Sequence, residues 1–183
     1  MSEDKKNVKS SVVSEIIDLI KMIVISFIIV TVLTTWFIKP IRVKGESMYP
    51  TLEDGSLAIS GIISMNNGIE RFDVVTVYQE YKDQYLIKRV IGLPNDIIEF
   101  KNDDLYINNE LVEQTFLSEE YVSEYDQFTN DFKIVLTDNQ YFLMGDNRPN
   151  SSDSRVYGPF EIEQITSEDV FVLYPFDNFG SVK

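Results

Sequence analysis

Hydrophobic and polar positions divide the chain into two textures. From Met22 to Ile38 the run "MIVISFIIVTVLTTWFI" carries no charge, and Leu19 and Ile20 extend it. Apolar on every face, it predicts a helix whose uncharged run rises roughly 25 Å, at the short end of what spans a bilayer core. Trp36 stands near one end, where interfacial aromatics are favoured, and Lys21 can snorkel toward headgroups. A buried core helix and a removable leader compete with this reading. A leader, however, has an apolar core of only about 7–15 residues and a cleavage site of small residues, whereas "KPIRVKGE" follows here. The run therefore predicts a retained anchor, residues 16–38, behind an N-terminal tail, residues 1–15.

Beyond Pro40 the texture changes to short β-branched and aromatic runs separated by turn residues. "IRVKGE", "SLAIS", "DVVTVYQ", "YLIKRVI", "DLYINNELV", "FKIVLT", "QYFLM" and "VFVLY" all read as strands. Asn108-Asn109 predicts a hairpin, because asparagine accepts the positive φ angles of a tight turn. Asp138-Asn139 suggests a second one. Residues 113–133 are acidic and aromatic without a period and read as a loop or insertion. Nothing outside the anchor is convincingly helical. The expected architecture for residues 39–183 is mainly β, a strongly bent antiparallel sheet or barrel-like system.

Composition narrows the chemistry. Residues 1–44 hold seven basic and four acidic groups, and the rest hold nine and 26, so the β-rich part is near −17. Nucleic-acid binding needs a basic footprint and is not expected, and the acidity has an ordinary use in keeping a surface solvated. The chain contains no cysteine and no histidine. Disulfides, thiol nucleophiles, Ser-His-Asp triads and His-based zinc sites are excluded together. A metal would need oxygen ligands alone; neither metal nor cofactor is expected. The basic groups Lys5, Lys6 and Lys9 on one side of the anchor balance Lys39, Arg42 and Lys44 on the other, so charge does not set the orientation.

Without histidine, a serine nucleophile must find its base among Asp, Glu, Lys or Tyr. In "YLIKRVIGLP" Lys88 stands inside an apolar strand with Arg89 beside it. Strand alternation points the two to opposite faces, so one of them is expected to face inward. An inward lysine loses hydration and its pKa falls; an edge lysine that blunts strand pairing is the plainer reading. "MGDNRPNSSDSR", residues 144–155, is dense in hydrogen-bonding groups. It serves equally as a polar turn or as the loop that holds such a lysine.

"GESMYPTL", "YLIKRVIGLPND" and "GDNRPNSSDSR", in that order behind an apolar anchor, resemble the motifs of bacterial type I signal peptidases of the Ser-Lys kind, in a minimal Gram-positive form. The resemblance covers residues 41 to about 175, with no recognised signature in 113–133. It implies a membrane-bound serine endopeptidase that removes N-terminal signal peptides from exported precursors. Ser47 is then the nucleophile and Lys88 the general base. Ser151 matches a serine that orients the lysine amine, and Arg89, Asp146, Asp153 and Arg155 match charged groups that buttress the site. The Ser47 N–H is expected to serve the oxyanion hole. The second donor is unidentified, because some relatives have a serine where Gly45 stands. "GLPND" has Asn95 where relatives usually have glycine. Substrate-binding residues are expected at Ile41, Val43, Gly45, Met48, Leu86 and Ile87, forming pockets for small side chains. The implied partners are signal-peptide-bearing precursors and the lipid bilayer, with the N-terminus cytoplasmic and the peptidase domain outside the cytoplasmic membrane. "YPFDNF" and "FEIEQI" are weak candidates for a second membrane contact.

Two other classes are open on the residues. A non-catalytic membrane-anchored β domain shares the texture, but its kind typically lacks the serine or the lysine. A repressor-cleaving autoprotease shares the dyad, but residues 1–15 are too short for its DNA-binding domain.

Overall fold

A computed structural model of the chain describes residues 3–61 and 68–182. Residues 1–2, at the start of the expected tail, and Lys183 lie outside that description. The chain divides into two compact units at Ile38/Lys39. The first is a helix, α1 (Glu3–Trp36), which begins well before the apolar run and stops at Trp36; Ile38 already belongs to a strand. Its Ser14–Trp36 segment, 23 residues, is long and apolar enough to cross a membrane, and none of it is buried against protein. An exposed helix that is apolar all round has no stable place in water.

The second unit is built from antiparallel strands. β1 (Ile38–Arg42), β2 (Leu57–Gly61), β3 (Val74–Gln79) and β4 (Gln84–Gly92) come first. β5 (Ile97–Lys101), β6 (Asp104–Ile107), β7 (Glu110–Val112) and β8 (Phe132–Val135) follow. β9 (Gln140–Met144), β10 (Phe160–Glu161), β11 (Ile165–Tyr174) and β12 (Gly180–Ser181) complete the set. One sheet runs β1-β2-β11-β3-β4-β9-β10 with β12 beside β11, and a four-stranded sheet runs β7-β6-β5-β8. Neither sheet closes. The mainly antiparallel, bent-sheet expectation stands, but no complete barrel forms among the described residues.

Local chemistry explains most of the turns. Asn108 and Asn109 take φ of 54° and 70° between β6 and β7, whose Ile107 and Glu110 are paired. Asn95 takes φ 68°, so asparagine does the work of the expected glycine. The second hairpin does not form. Gln140 closes a turn onto Thr137, but β8 pairs with β5 while β9 pairs with β4. The turn residues mark a change of sheet.

Residues 113–133 are an ordered insertion with a one-turn helix, α2 (Glu119–Val122), capped by the Ser118 hydroxyl. A second one-turn helix, α3 (Ser154–Tyr157), is capped by Asp153. These two short helices lie outside the anchor, where none was expected, because each is a capped turn too short to show a period. Three cores hold the strands. One joins Ile91, Ile98, Phe100, Leu105 and Phe142 between the two sheets. The second gathers Val43, Met48, Leu52, Val74 and Val172, and the third Val75, Val77, Val90 and Leu143.

Candidate active site

The segment after β1 leaves extended geometry at once. Gly45 turns the chain at φ 83°, a conformation glycine adopts freely, and its N–H donates to Asp54 Oδ1 at 2.7 Å. The strand expected over "IRVKGE" therefore ends at Arg42, and Ser47 is presented from a turn. Two interactions staple that turn to the loop after β9: the Asn147 N–H donates to the Ser47 carbonyl at 3.2 Å, and Asn147 Nδ2 to the Glu46 carbonyl at 3.0 Å. Gly145 is required at this crossing. A side chain there would collide with the Ser47 carbonyl and with Ser151.

Lys88 enters from β4, where its partner is Val75 on β3. Its Nζ stands 2.7 Å from Ser47 Oγ and donates to the Ile87 carbonyl at 2.8 Å. Lys88 is 2% exposed and Arg89 0%. The expectation that only one of the two faces inward is corrected: β4 is covered on both faces, so alternation buries both. Desolvation lowers the Lys88 pKa from 10.5 to about 8, against the pull of Asp153 and Asp146 and with a smaller push from Arg155.

Those two carboxylates are occupied elsewhere. Asp146 receives Arg89 Nε at 2.9 Å and Nη2 at 2.8 Å, a bidentate pair closed to water and joined by the Thr51 hydroxyl. Phe116, from the insertion, lies 4.1 Å from the Arg89 guanidinium. Asp153 receives Arg155 Nε and Nη2 at 2.9 and 2.8 Å and the Gly145 N–H at 3.0 Å. Burial pushes its carboxyl up, but Arg155, that N–H and the nearby Ser151 hydroxyl outweigh burial and hold the carboxyl below its ordinary range. The Ser151 hydroxyl itself is enclosed without a geometrically sound hydrogen bond among the described residues. The expected Ser151–Lys88 hydrogen bond is therefore not formed here; the amine is held by Ser47 and Ile87 instead.

A cleft of about 460 Å³ opens beside the dyad. It is lined by Ile41, Val43, Met48, Leu86 and Ile87 together with Ser47 and Lys88. Gly45 is not part of that lining. β1 and β4 both contribute although three strands separate them in the sheet, so the sheet curls into a trough whose floor is β3 and β11.

Comparisons with known proteins identify the family. The family model for signal peptidase, peptidase S26, matches residues 16–174. The chain belongs to the S26 signal peptidase family. Signal peptidase I P of Bacillus subtilis subsp. natto is 38% identical over 176 residues, covering 93% of this chain and 95% of that protein. Signal peptidase IB of Staphylococcus aureus strain COL is 33% identical over 178 residues, covering 90% and 93%. A crystal structure of a signal peptidase I from Enterococcus faecalis V583 superposes with a TM-score of 0.51 at 31% identity, covering 55% of this chain and 95% of that one.

Several residues around the Ser47–Lys88 pair do not stand out in the sequence. Gly145, Asn147 and Arg148 lie inside the third motif. Arg148 is buried, donates from Nε to the Gly145 carbonyl at 3.1 Å and reaches Thr129 of the insertion. Burial pushes it down to about 10, against Asp146, so it stays cationic at neutral pH. Thr51 sits in the first motif, and its "PT" was the available signal. Nothing in the texture of Phe116 or Thr129 points to the site.

Proposed function

We propose that the protein is a membrane-bound serine endopeptidase that cleaves signal peptides from exported precursor proteins, with Ser47 as nucleophile and Lys88 as general base. The observation that carries the reading is the buried amine, with a pKa of about 8, set 2.7 Å from the Ser47 hydroxyl. A catalytic base works best with a pKa near the operating pH, and desolvation supplies that here without histidine.

Neutral Lys88 takes the Ser47 proton as Oγ attacks the scissile carbonyl. The ammonium then protonates the leaving amine, and a water deprotonated by the same lysine releases the acyl group from Ser47. The Ser47 N–H serves the oxyanion. Gly45 offers no hydroxyl, and its N–H is spent on Asp54, so the second donor lies elsewhere. The Arg89–Asp146 and Arg155–Asp153 pairs act by neutralising anions that would otherwise hold Lys88 charged. Ser151, which packs against Gly145, takes the supporting role in this reading by accepting a hydrogen bond from the ammonium once its hydroxyl turns toward the amine.

Substrate enters the trough as an added strand, with Ile41, Val43, Met48, Leu86 and Ile87 accommodating small side chains by excluding large ones. Residues 16–38 hold the enzyme in the cytoplasmic membrane, with residues 1–15 inside and 39–183 outside, the side on which exported chains emerge. Wild-type protein in detergent should cleave a leader-bearing precursor, and Ser47→Ala and Lys88→Ala should not. Turnover by either variant refutes the dyad. Protease added to intact cells should digest a C-terminal tag; its protection refutes the orientation.

A further inference from the structure

The floor of the trough departs from its apolar walls. Thr76 on β3 and Ser167 on β11 both line the cleft and are register partners. The register shifts between Ile165 and Ser167, a bulge of the kind that re-aims a side chain beside a site. Thr76 is 6% exposed and Ser167 0%, and neither hydroxyl has a hydrogen-bond partner among the described residues. Two other hydroxyls of the cleft have partners: Thr166 Oγ1 donates to the Thr76 carbonyl at 3.2 Å, and Ser47 Oγ meets Lys88. A buried hydroxyl without a partner is a standing cost that an occupant able to hydrogen-bond removes.

From this pair, and resting on the peptidase reading above, we infer that the cleft selects a hydroxyl-bearing residue, serine or threonine, at the third position before the cut. The residue that supplies the scissile carbonyl must place its side chain beside Ser47 and Met48. In an extended peptide the residue two positions earlier points the same way. Neither Thr76 nor Ser167 bonds Ser47 or Lys88, and Thr76 stands beside Ile87, its register partner on β4, which lines the same cleft, so the pair is available to that earlier residue. The substrate hydroxyl donates to Thr76 Oγ1 and accepts from the Ser167 hydroxyl, each turned toward the cleft about χ1. An alanine at that position fits but leaves both unpaired. Valine fills the same space as threonine and likewise leaves them unpaired.

The test uses the full-length protein in detergent and three precursor peptides that differ only in alanine, serine or valine at the third residue before the cut. kcat/KM is measured for wild type and for Thr76→Val and Ser167→Ala. The serine-to-valine ratio is read within each variant, so a general change in activity cancels. Wild type should favour serine, and the ratio should fall about tenfold in Thr76→Val, the loss expected of one hydrogen bond. A ratio unchanged in both variants overturns the inference while leaving the peptidase standing. Failure of wild type to cut any of the three peptides overturns the reading on which it rests, and the inference with it. Thermal stability gives a second readout: Thr76→Val should melt no lower than wild type, because it removes an unpaired hydroxyl, and a clearly lower midpoint shows that the hydroxyl was already satisfied.

Discussion

Lys88 and Arg89 are neighbours on one strand, both sealed from water, yet the regions around them resolve the same electrostatic problem in opposite ways. On the Lys88 side the cationic group meets a hydroxyl and a carbonyl. On the Arg89 side it meets a carboxylate in a two-point grip. Desolvation without a paired counter-charge lowers the pKa toward the working range; desolvation with one keeps the charge and fixes the geometry. One strand thus carries an amine of lowered pKa on one face and a buried ion pair on the other, and the residue types suit the difference, since lysine deprotonates readily and arginine does not.

Exchanging the two chemistries should have the largest effect. Lys88→Arg places a permanently protonated group beside Ser47, and cleavage of a precursor should drop by about a thousandfold or more, on the scale of losing a general base. Far-ultraviolet dichroism checks that the fold persists, and turnover within about tenfold of wild type breaks the comparison. Stranding a charge on the brace side should come next. Arg89→Met leaves the Asp146 carboxylate buried and unpaired, at about 3–5 kcal/mol of stability. Denaturant titration measures the loss, and the double variant Arg89→Met with Asp146→Leu should recover much of it.

The same pair of residues marks how far sequence patterns reach. The dyad was legible through the resemblance of three ordered motifs to a known family, because on local features alone Lys88 reads more plainly as an edge lysine and Ser47 as one residue of a polar turn. The burial of both Lys88 and Arg89 was not, since alternation assigns faces but cannot tell that the second sheet and the insertion cover the outer one. Phe116 under Arg89 and Thr129 against Arg148 come from a segment without periodicity, and only tertiary contact gives them meaning. Asp138-Asn139 announced a turn correctly, yet turn residues carry no information about which sheet receives the next strand. The helix boundary moved for a related reason: Glu3 to Val13 are too polar to mark a span, but helical hydrogen bonding needs no apolar face.

A third effect lies on the Lys88 side. Its folded pKa, about 8, is below the unfolded value of 10.5. Between those pH values the unfolded chain binds more protons, so stability rises with pH across that window, and the burial cost is present in full below about 8. Lys88→Met removes a group that must be desolvated. At pH 7 it should therefore stabilise the domain by up to an amount on the order of 3 kcal/mol, less what the two lost hydrogen bonds contributed. The gain should disappear as the pH approaches 10.5. A variant less stable than wild type at pH 7 shows that the amine is not held against its charge.

The smallest effect sharpens the boundary between the two regions. Asp153 is paired with Arg155, but its charge still reaches Lys88 and raises that pKa. Asp153→Asn removes the charge and keeps an oxygen for the Gly145 N–H, while Arg155, part exposed, can turn to water. kcat/KM should rise with pH through about 8 in wild type as Lys88 loses its proton. In Asp153→Asn that acid limb should move to lower pH by roughly half a unit, the size expected of a largely neutralised charge. A limb that stays in place means that Arg155 cancels Asp153 completely at the amine. A limb that moves to higher pH means that the loop opened and readmitted water, so that the loop 145–155 keeps the amine dry by packing more than by charge balance.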